Sequence, residues 1–153
     1  GRTVVTGLNV TLPNAVDSNS KLFITGHLTL GGQSSGDPGV APRWEYSTDN
    51  SSWSVIQNTS WITSGHAGSD ANSNVGNSAG YDGWQNNEDV KHASWATMCS
   101  ASDVSQARYY RVTVRQTDSS DHGVKINASY GSTASTGYAP SGNSSLVVME
   151  MGV

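Results

Sequence analysis

The sequence has few of the features that stabilise small secreted domains or anchor proteins in membranes. Its 153 residues include one cysteine, Cys99, and only 13% charged residues. A single cysteine excludes an intrachain disulfide, so stability has to come from packing, a bound metal or oligomerisation. No apolar run approaches the roughly 18 residues of a membrane-spanning helix, and no signal-peptide pattern is present. We therefore expect no membrane insertion.

Positive charge is also scarce. The chain has 8 Lys and Arg residues against 12 Asp and Glu residues, which gives a net charge of −4. Only Arg108, Arg111 and Arg115 cluster, and three residues are too few for the cationic stripe of a nucleic-acid binder. We therefore expect no nucleic-acid partner. Solubility comes instead from hydroxyl and amide side chains, a composition typical of an extracellular protein or a virion surface.

The remaining sequence consists of short strand-like runs. Alternating apolar and polar residues between clusters of Gly, Ser, Asn and Asp predict about eight strands and no helix. The predicted strands lie near residues 2–12, 20–30, 42–48, 52–57, 90–99, 107–117, 122–130 and 144–152. The length and the uniform composition favour one domain, residues 1–153. We predict an all-β, two-sheet antiparallel β-sandwich of the jelly-roll type.

Two of the predicted strands carry more specific signals. In the second strand Leu22, Ile24, Leu28 and Leu30 share one face with Gly26, which predicts a bulge or unusually close packing at the glycine. Residues 46–53 are predicted to form a hairpin, because the Asp and Asn residues at its centre tolerate the left-handed conformation of a tight turn. In this hairpin we expect Tyr46 and Trp53 to pair across the strands.

A long insertion separates the fourth and fifth predicted strands, at about residues 58–89. It carries Trp61, Tyr81 and Trp84 among many Gly, Ser and Asn residues, and it is too long for a simple connection. These aromatic residues have two interpretations. They pin the insertion onto the sandwich, or they form a platform that binds sugar rings. Trp61, Tyr81 and Trp84 are therefore the predicted ligand-binding residues.

Signals for catalysis are weak. Residues 76–80 have the G-x-S-x-G spelling of a nucleophile elbow, but no hydrophobic strand precedes the serine and no helix follows it. In a segment so rich in Gly and Ser the spelling is close to a chance event. No acid–base pair or activated nucleophile emerges elsewhere. We expect a protein that is not an enzyme and needs no cofactor.

Metal-binding patterns are equally sparse. The four histidines, His27, His66, His92 and His122, have neither mutual zinc-ligand spacing nor a cysteine partner. The acidic loop residues do not follow the spacing of a calcium-binding loop. We interpret the histidines as ordinary strand and loop residues. One alternative remains: in a trimer, a histidine on the threefold axis would lie beside the same histidine of the other two subunits, and the three imidazoles together would form a metal site.

The last predicted strand is apolar on both faces. Leu146 and Val148 point to one side, and Val147, Met149 and Met151 point to the other. A strand of this kind has to be buried twice, once in its own core and once against neighbouring subunits. Glu150 either reaches solvent at the strand end or pairs with a basic residue of another subunit. The predicted interface with neighbouring subunits is Leu146, Val147, Val148, Met149, Glu150 and Met151.

Three stretches together resemble a known family. They are NSKLFITG at residues 19–26, ARYYRVTV at residues 107–114 and NSSLVVMEM at residues 143–151. Their order over nearly the whole chain resembles bacteriophage fibre and virion-surface domains of the C1q/TNF-like jelly-roll type. The resemblance implies a homotrimer whose final strand lies near the threefold axis.

Two functions from different classes are consistent with these observations. The first is a viral structural protein on the virion surface, either a trimeric tail-fibre head or a capsid-decoration domain for a bacteriophage. Its partners would be two copies of itself, other virion proteins and host-surface glycans, with host attachment strengthened by multivalency. The alternative is a secreted carbohydrate-binding module or lectin that acts as a monomer. Oligomeric state separates the two.

Overall fold

A computed structural model of the protein describes residues 3–32, 40–56, 90–116, 124–127 and 142–152. Each of the eight predicted strands is confirmed there: β1 (Thr3–Thr11), β2 (Lys21–Gly32), β3 (Val40–Ser47), β4 (Ser54–Val55), β5 (Val90–Ser100), β6 (Tyr109–Gln116), β7 (Val124–Ile126) and β8 (Ser145–Met151). One turn of 3-10 helix, Ala101–Val104, follows β5. None of the helical structure in these ranges is long and apolar enough to cross a membrane.

The strands form two antiparallel sheets, which confirms the predicted β-sandwich. The first sheet has the order β1-β6-β3-β4, so β6 lies at its centre beside β3. In the second sheet β2 is central, with β5 along one edge. The other edge of β2 is shared, since β8 pairs with residues 21–27 and β7 pairs with residues 30–32. The first and last strands of the chain therefore belong to different sheets.

The core lies between the two sheets and follows the predicted alternation. Leu22, Ile24, Leu28 and Leu30 of β2 are fully buried, and they face Trp44, Tyr110 and Val112 from the first sheet. A Cβ atom at Gly26 would overlap the indole of Trp44. The pairing of β2 with β5 continues through Gly26 without a shift. Close packing is therefore the reason for this glycine, and a bulge is not.

Burial also determines the chemistry of two core groups. Burial raises the pKa of the half-buried Cys99 thiol to about 11, and the nearby Asp103 carboxylate adds to the effect. The thiol is therefore protonated at neutral pH and is a poor nucleophile. Burial likewise raises the pKa of Tyr110, whose hydroxyl donates a hydrogen bond of 2.9 Å to the Ala107 carbonyl.

The predicted hairpin connects β3 and β4. Asp49 caps its turn, because one carboxylate oxygen accepts hydrogen bonds from the backbone N–H groups of Ser51 (2.8 Å) and Ser52 (2.7 Å). Asn50 has a φ of 59°, the left-handed turn conformation expected of it. One detail of the prediction was wrong. Tyr46 pairs with Ser54 rather than with Trp53, because the turn takes up one more residue than expected.

Candidate functional site

The predicted interface strand, β8, lies along β2 with its two sets of apolar side chains on opposite sides of the sheet. Leu146 and Val148 are partly buried and pack against the protomer's own core. Val147 and Met149 are 44% and 52% exposed on the outer surface. Leu146 and Val148 are therefore already used within the protomer. Val147, Met149 and the half-buried Met151 point away from that core.

Neighbouring strands extend this outer surface. Phe23 of β2 lies opposite Met98 of β5 on one side and opposite Met149 of β8 on the other. In the next row, Thr25 lies between Ala96 and Val147. We call the resulting surface the methionine face, formed by Phe23, Ala96, Met98, Val147, Met149 and Met151. All 3 methionines of the chain belong to it.

The methionine face is unusual for its exposure. Four large apolar side chains are exposed in the described part of the chain, and three of them, Met98, Val147 and Met149, belong to this face. Met98 is 56% exposed. Single exposed apolar residues are common on protein surfaces, but contiguous ones mark sites of contact. Methionine is also flexible and polarisable, which suits a surface that has to pack against a partner.

Two charged residues lie near one end of the methionine face, on opposite sides of the sheet. Lys21 is exposed at the start of β2, directly opposite Met151. Glu150 is exposed on β8, and one of its carboxylate oxygens accepts a hydrogen bond of 3.0 Å from the backbone N–H of Asp17. Glu150 pairs with the buried Leu22 and belongs to the core-facing side of β8, whereas Lys21 lies on the same side of the sheet as the methionine face. The two interpretations of Glu150, solvent contact and pairing with a base of another subunit, are both compatible with this position.

A polar cluster occupies the other end of the same sheet surface. The imidazole rings of His27 and His92 stack with centroids 5.1 Å apart and planes inclined by 20°. The Thr29 hydroxyl oxygen lies 3.5 Å from Nε2 of His27 and 3.2 Å from Nδ1 of His92. The Ser94 hydroxyl lies 3.0 Å from the other ring nitrogen of His27.

The segment that precedes β8 holds this cluster in place. The buried Thr29 donates its backbone N–H to the Ser144 hydroxyl (3.0 Å) and its own hydroxyl to the Asn143 carbonyl (3.3 Å). Gly142 packs so closely on Thr29 that a Cβ atom would overlap it. Within the described ranges no three His, Cys, Asp or Glu residues are arranged to hold a metal ion. The described residues supply two imidazoles at this place, which is fewer than the three or four ligands of a zinc site.

Several predicted features fall outside the described residues. They are the ligand residues Trp61, Tyr81 and Trp84, the insertion at about 58–89 that contains them, the histidines His66 and His122, and the G-x-S-x-G spelling at residues 76–80. Sequence reasoning missed Phe23, Ala96 and Met98 as members of the exposed surface. Their outward orientation was readable from strand alternation, but their position beside β8 depends on strand pairing.

Comparisons with family models, with curated proteins and with solved structures find no match. The case for a function therefore rests on the geometry of the described surfaces and on the composition of the chain.

Proposed function

We propose that this protein is a non-enzymatic structural domain of a bacteriophage virion, and that it assembles into a homotrimer through the methionine face. The observation that carries the proposal is the contiguity of Met98, Val147 and Met149 around Phe23 on one exposed sheet surface. In such a trimer the domain forms either the head of a tail fibre or a decoration of the capsid surface. Other virion proteins and host-surface glycans are its further partners.

The apolar contact is energetically meaningful. Complete burial of a Val or Met side chain contributes about 1.5–3 kcal/mol. Met98, Val147 and Met149 are about half exposed, so burial of the exposed part of each would contribute roughly half of that free energy. Together they supply on the order of 3 kcal/mol for each protomer. In a closed trimer one surface near the threefold axis is buried in all three copies at once. An apolar centre surrounded by polar residues is the usual anatomy of such an interface.

The composition favours the virion surface over an enzyme. Hydroxyl and amide residues provide solubility, and only 13% of residues are charged. The single cysteine is held as a thiol by burial. A display domain works through its shape and through the multiplicity of its copies, so that weak contacts with a host surface add up.

Light scattering of the purified chain tests the proposal. We expect a mass three times the protomer mass of 16.0 kDa at micromolar concentrations. Met149→Asp should convert the trimer into a folded monomer, because it places a charge at the centre of the apolar contact. Thr11→Asp, at an exposed site on the first sheet, is the matched control and should leave the trimer intact. A wild-type chain that is monomeric would contradict the proposal and favour the secreted carbohydrate-binding module.

A further inference from the structure

The outer face of the first sheet lies on the opposite side of the sandwich from the methionine face. It carries a cleft, one wall of which is an arch in β1. Between the pairs Val4↔Thr113 and Asn9↔Arg111, β1 advances five residues while β6 advances two. Val5 and Leu8 are buried in the core at the two ends of the extra segment, and Thr6 between them is exposed. Gly7 has a φ of 82°, which few other residues adopt. β1 therefore bends away from β6 between Val4 and Asn9.

The β3–β4 hairpin forms the facing wall. Trp53 is half-buried there, and Asn50 lies at the tip of the turn. The hydrogen bonds that Asp49 accepts from Ser51 and Ser52 hold the tip in one conformation. The backbone that carries the side chains of this wall is therefore held by the turn itself.

Arg111 of β6 forms the floor and is held on two sides. Its Nε donates a hydrogen bond of 2.7 Å to Glu45, and its guanidinium carbon lies 4.0 Å from the centre of the Trp53 ring. Glu45 is itself buried and also accepts a hydrogen bond of 3.2 Å from the Thr113 hydroxyl. The guanidinium is thus preorganised and its charge is compensated. Its two terminal amino groups have no partner among the described residues.

The chemistry of the cleft favours a neutral ligand. Its volume is about 380 Å³, at the lower end of the range of about 300–1,000 Å³ for small-molecule sites. Val4 and Trp53 supply apolar surface, and Thr6, Asn9 and Asn50 supply uncharged hydrogen-bonding groups. The Glu45 carboxylate already neutralises the guanidinium and would repel an anionic ligand beside it. A ring with an apolar face and several hydroxyl groups uses all of these features together.

We propose that this cleft binds one ring of a neutral glycan, with Trp53 against the ring and with Arg111, Asn9 and Asn50 hydrogen-bonded to its hydroxyl groups. The inference deepens the proposed function and rests on it, because it gives an attachment domain a glycan site. The cleft and the methionine face lie on opposite sides of the sandwich. Assembly through one therefore leaves the other accessible, and a trimer presents three sites.

Solution NMR of the ¹⁵N-labelled full chain tests the proposal. The probes are the methyl glycosides of glucose, galactose, mannose and N-acetylglucosamine, each raised to about 50 mM so that sites with Kd near 1 mM become saturated. We expect at least one glycoside to shift the Trp53 indole N–H, the Arg111 Nε–H and the Asn50 amide signals. If no glycoside shifts these three signals, the proposal is wrong.

Variants separate binding from folding and from assembly. Trp53→Ala should weaken the affinity for the responding glycoside at least tenfold, and Trp53→Phe should retain most of it. Asn50→Gly keeps the left-handed turn, removes the amide, and should weaken binding several-fold even if Trp53→Ala fails to fold. Unchanged affinity in Trp53→Ala and Asn50→Gly would overturn the proposal. A monomeric chain that still binds sugar would contradict the trimer alone, and a trimer without sugar shifts would contradict the cleft alone.

Discussion

The two outer faces of this sandwich arise from the same alternation of side chains, yet they have opposite character. The face of the first sheet is concave and polar, and the buried Glu45 orders it through Arg111. On the face of the second sheet, Met98, Val147 and Met149 are exposed to solvent. An ion pair with shared hydrogen bonds preorganises a site for a ligand. Exposed flexible apolar side chains instead become ordered when a second protein surface covers them.

The clearest contrast within one strand is that between Val148 and Met149. Val148→Asp would place a carboxylate against the core and should destabilise the protomer by about 3 kcal/mol or more. Met149→Asp should leave the unfolding free energy of the monomer nearly unchanged while it prevents assembly. Urea denaturation followed by circular dichroism measures the first effect, and light scattering measures the second. Equal destabilisation by both substitutions would show that the two sides of β8 are not distinct.

A change in the shared core should damage both faces together. Gly26→Ala would force a methyl group against the Trp44 indole and should cost about 1–3 kcal/mol. Gly152→Ala is the control, because no atom lies within 4 Å of the added carbon. Thermal unfolding compares the two variants. A Gly26→Ala protein as stable as the wild type would mean that the sheets are less tightly packed here than the structure shows.

A change in the ion pair should affect the first sheet alone. Glu45→Gln removes the charge that compensates Arg111 and should cost about 1–3 kcal/mol, since hydrogen bonds to charged groups exceed neutral ones in strength. The trimer mass should stay the same, because Glu45 lies on the opposite side of the sandwich. Denaturation and light scattering on one sample test both parts. Loss of the trimer in Glu45→Gln would show that the two faces are coupled.

The smallest expected effect is the pH dependence of the hairpin turn. Backbone hydrogen bonds from Ser52 and Ser51 hold the pKa of Asp49 well below its ordinary value of 3.8. A lowered folded-state pKa means that this stabilisation is present above pH 3.8 and is lost as the pH falls below it. The stability difference between the wild type and Asp49→Asn should therefore shrink in acid. Chemical denaturation over a pH series measures it, and a difference that does not change with pH would exclude this role.

Local periodicity in the sequence was enough to predict all eight strands and the apolar side of β2 that faces the core. The alternation in β2 identified Leu22, Ile24 and Leu28 as buried, because the apolar side of an alternating strand faces the core and the polar side faces solvent. Asp49 and Asn50 likewise identified the hairpin. These features depend on residues that are neighbours along the chain.

Features that depend on pairing between distant segments were not predictable. Phe23, Met98 and Met149 become neighbours only when β5 and β8 align on β2, and no local pattern specifies that alignment. The arch in β1 has the same origin, because a bulge is defined by the partner strand. Trp53 was predicted to pair with Tyr46, but its ring lies against the guanidinium of Arg111 in β6. Both candidate sites are built from such contacts.

The solvent exposure of the three methionine methyl groups tests the central claim most directly. Met98, Met149 and Met151 are the complete set of methionines, so ¹³C-methyl labelling reports on the methionine face and on no other surface. We predict that a soluble paramagnetic agent broadens the three signals weakly in the wild-type chain and strongly in Thr25→Asp, which places a charge in the same face. Strong broadening of the Met98 and Met149 signals in the wild-type chain would contradict the account, because the face would then be open to water.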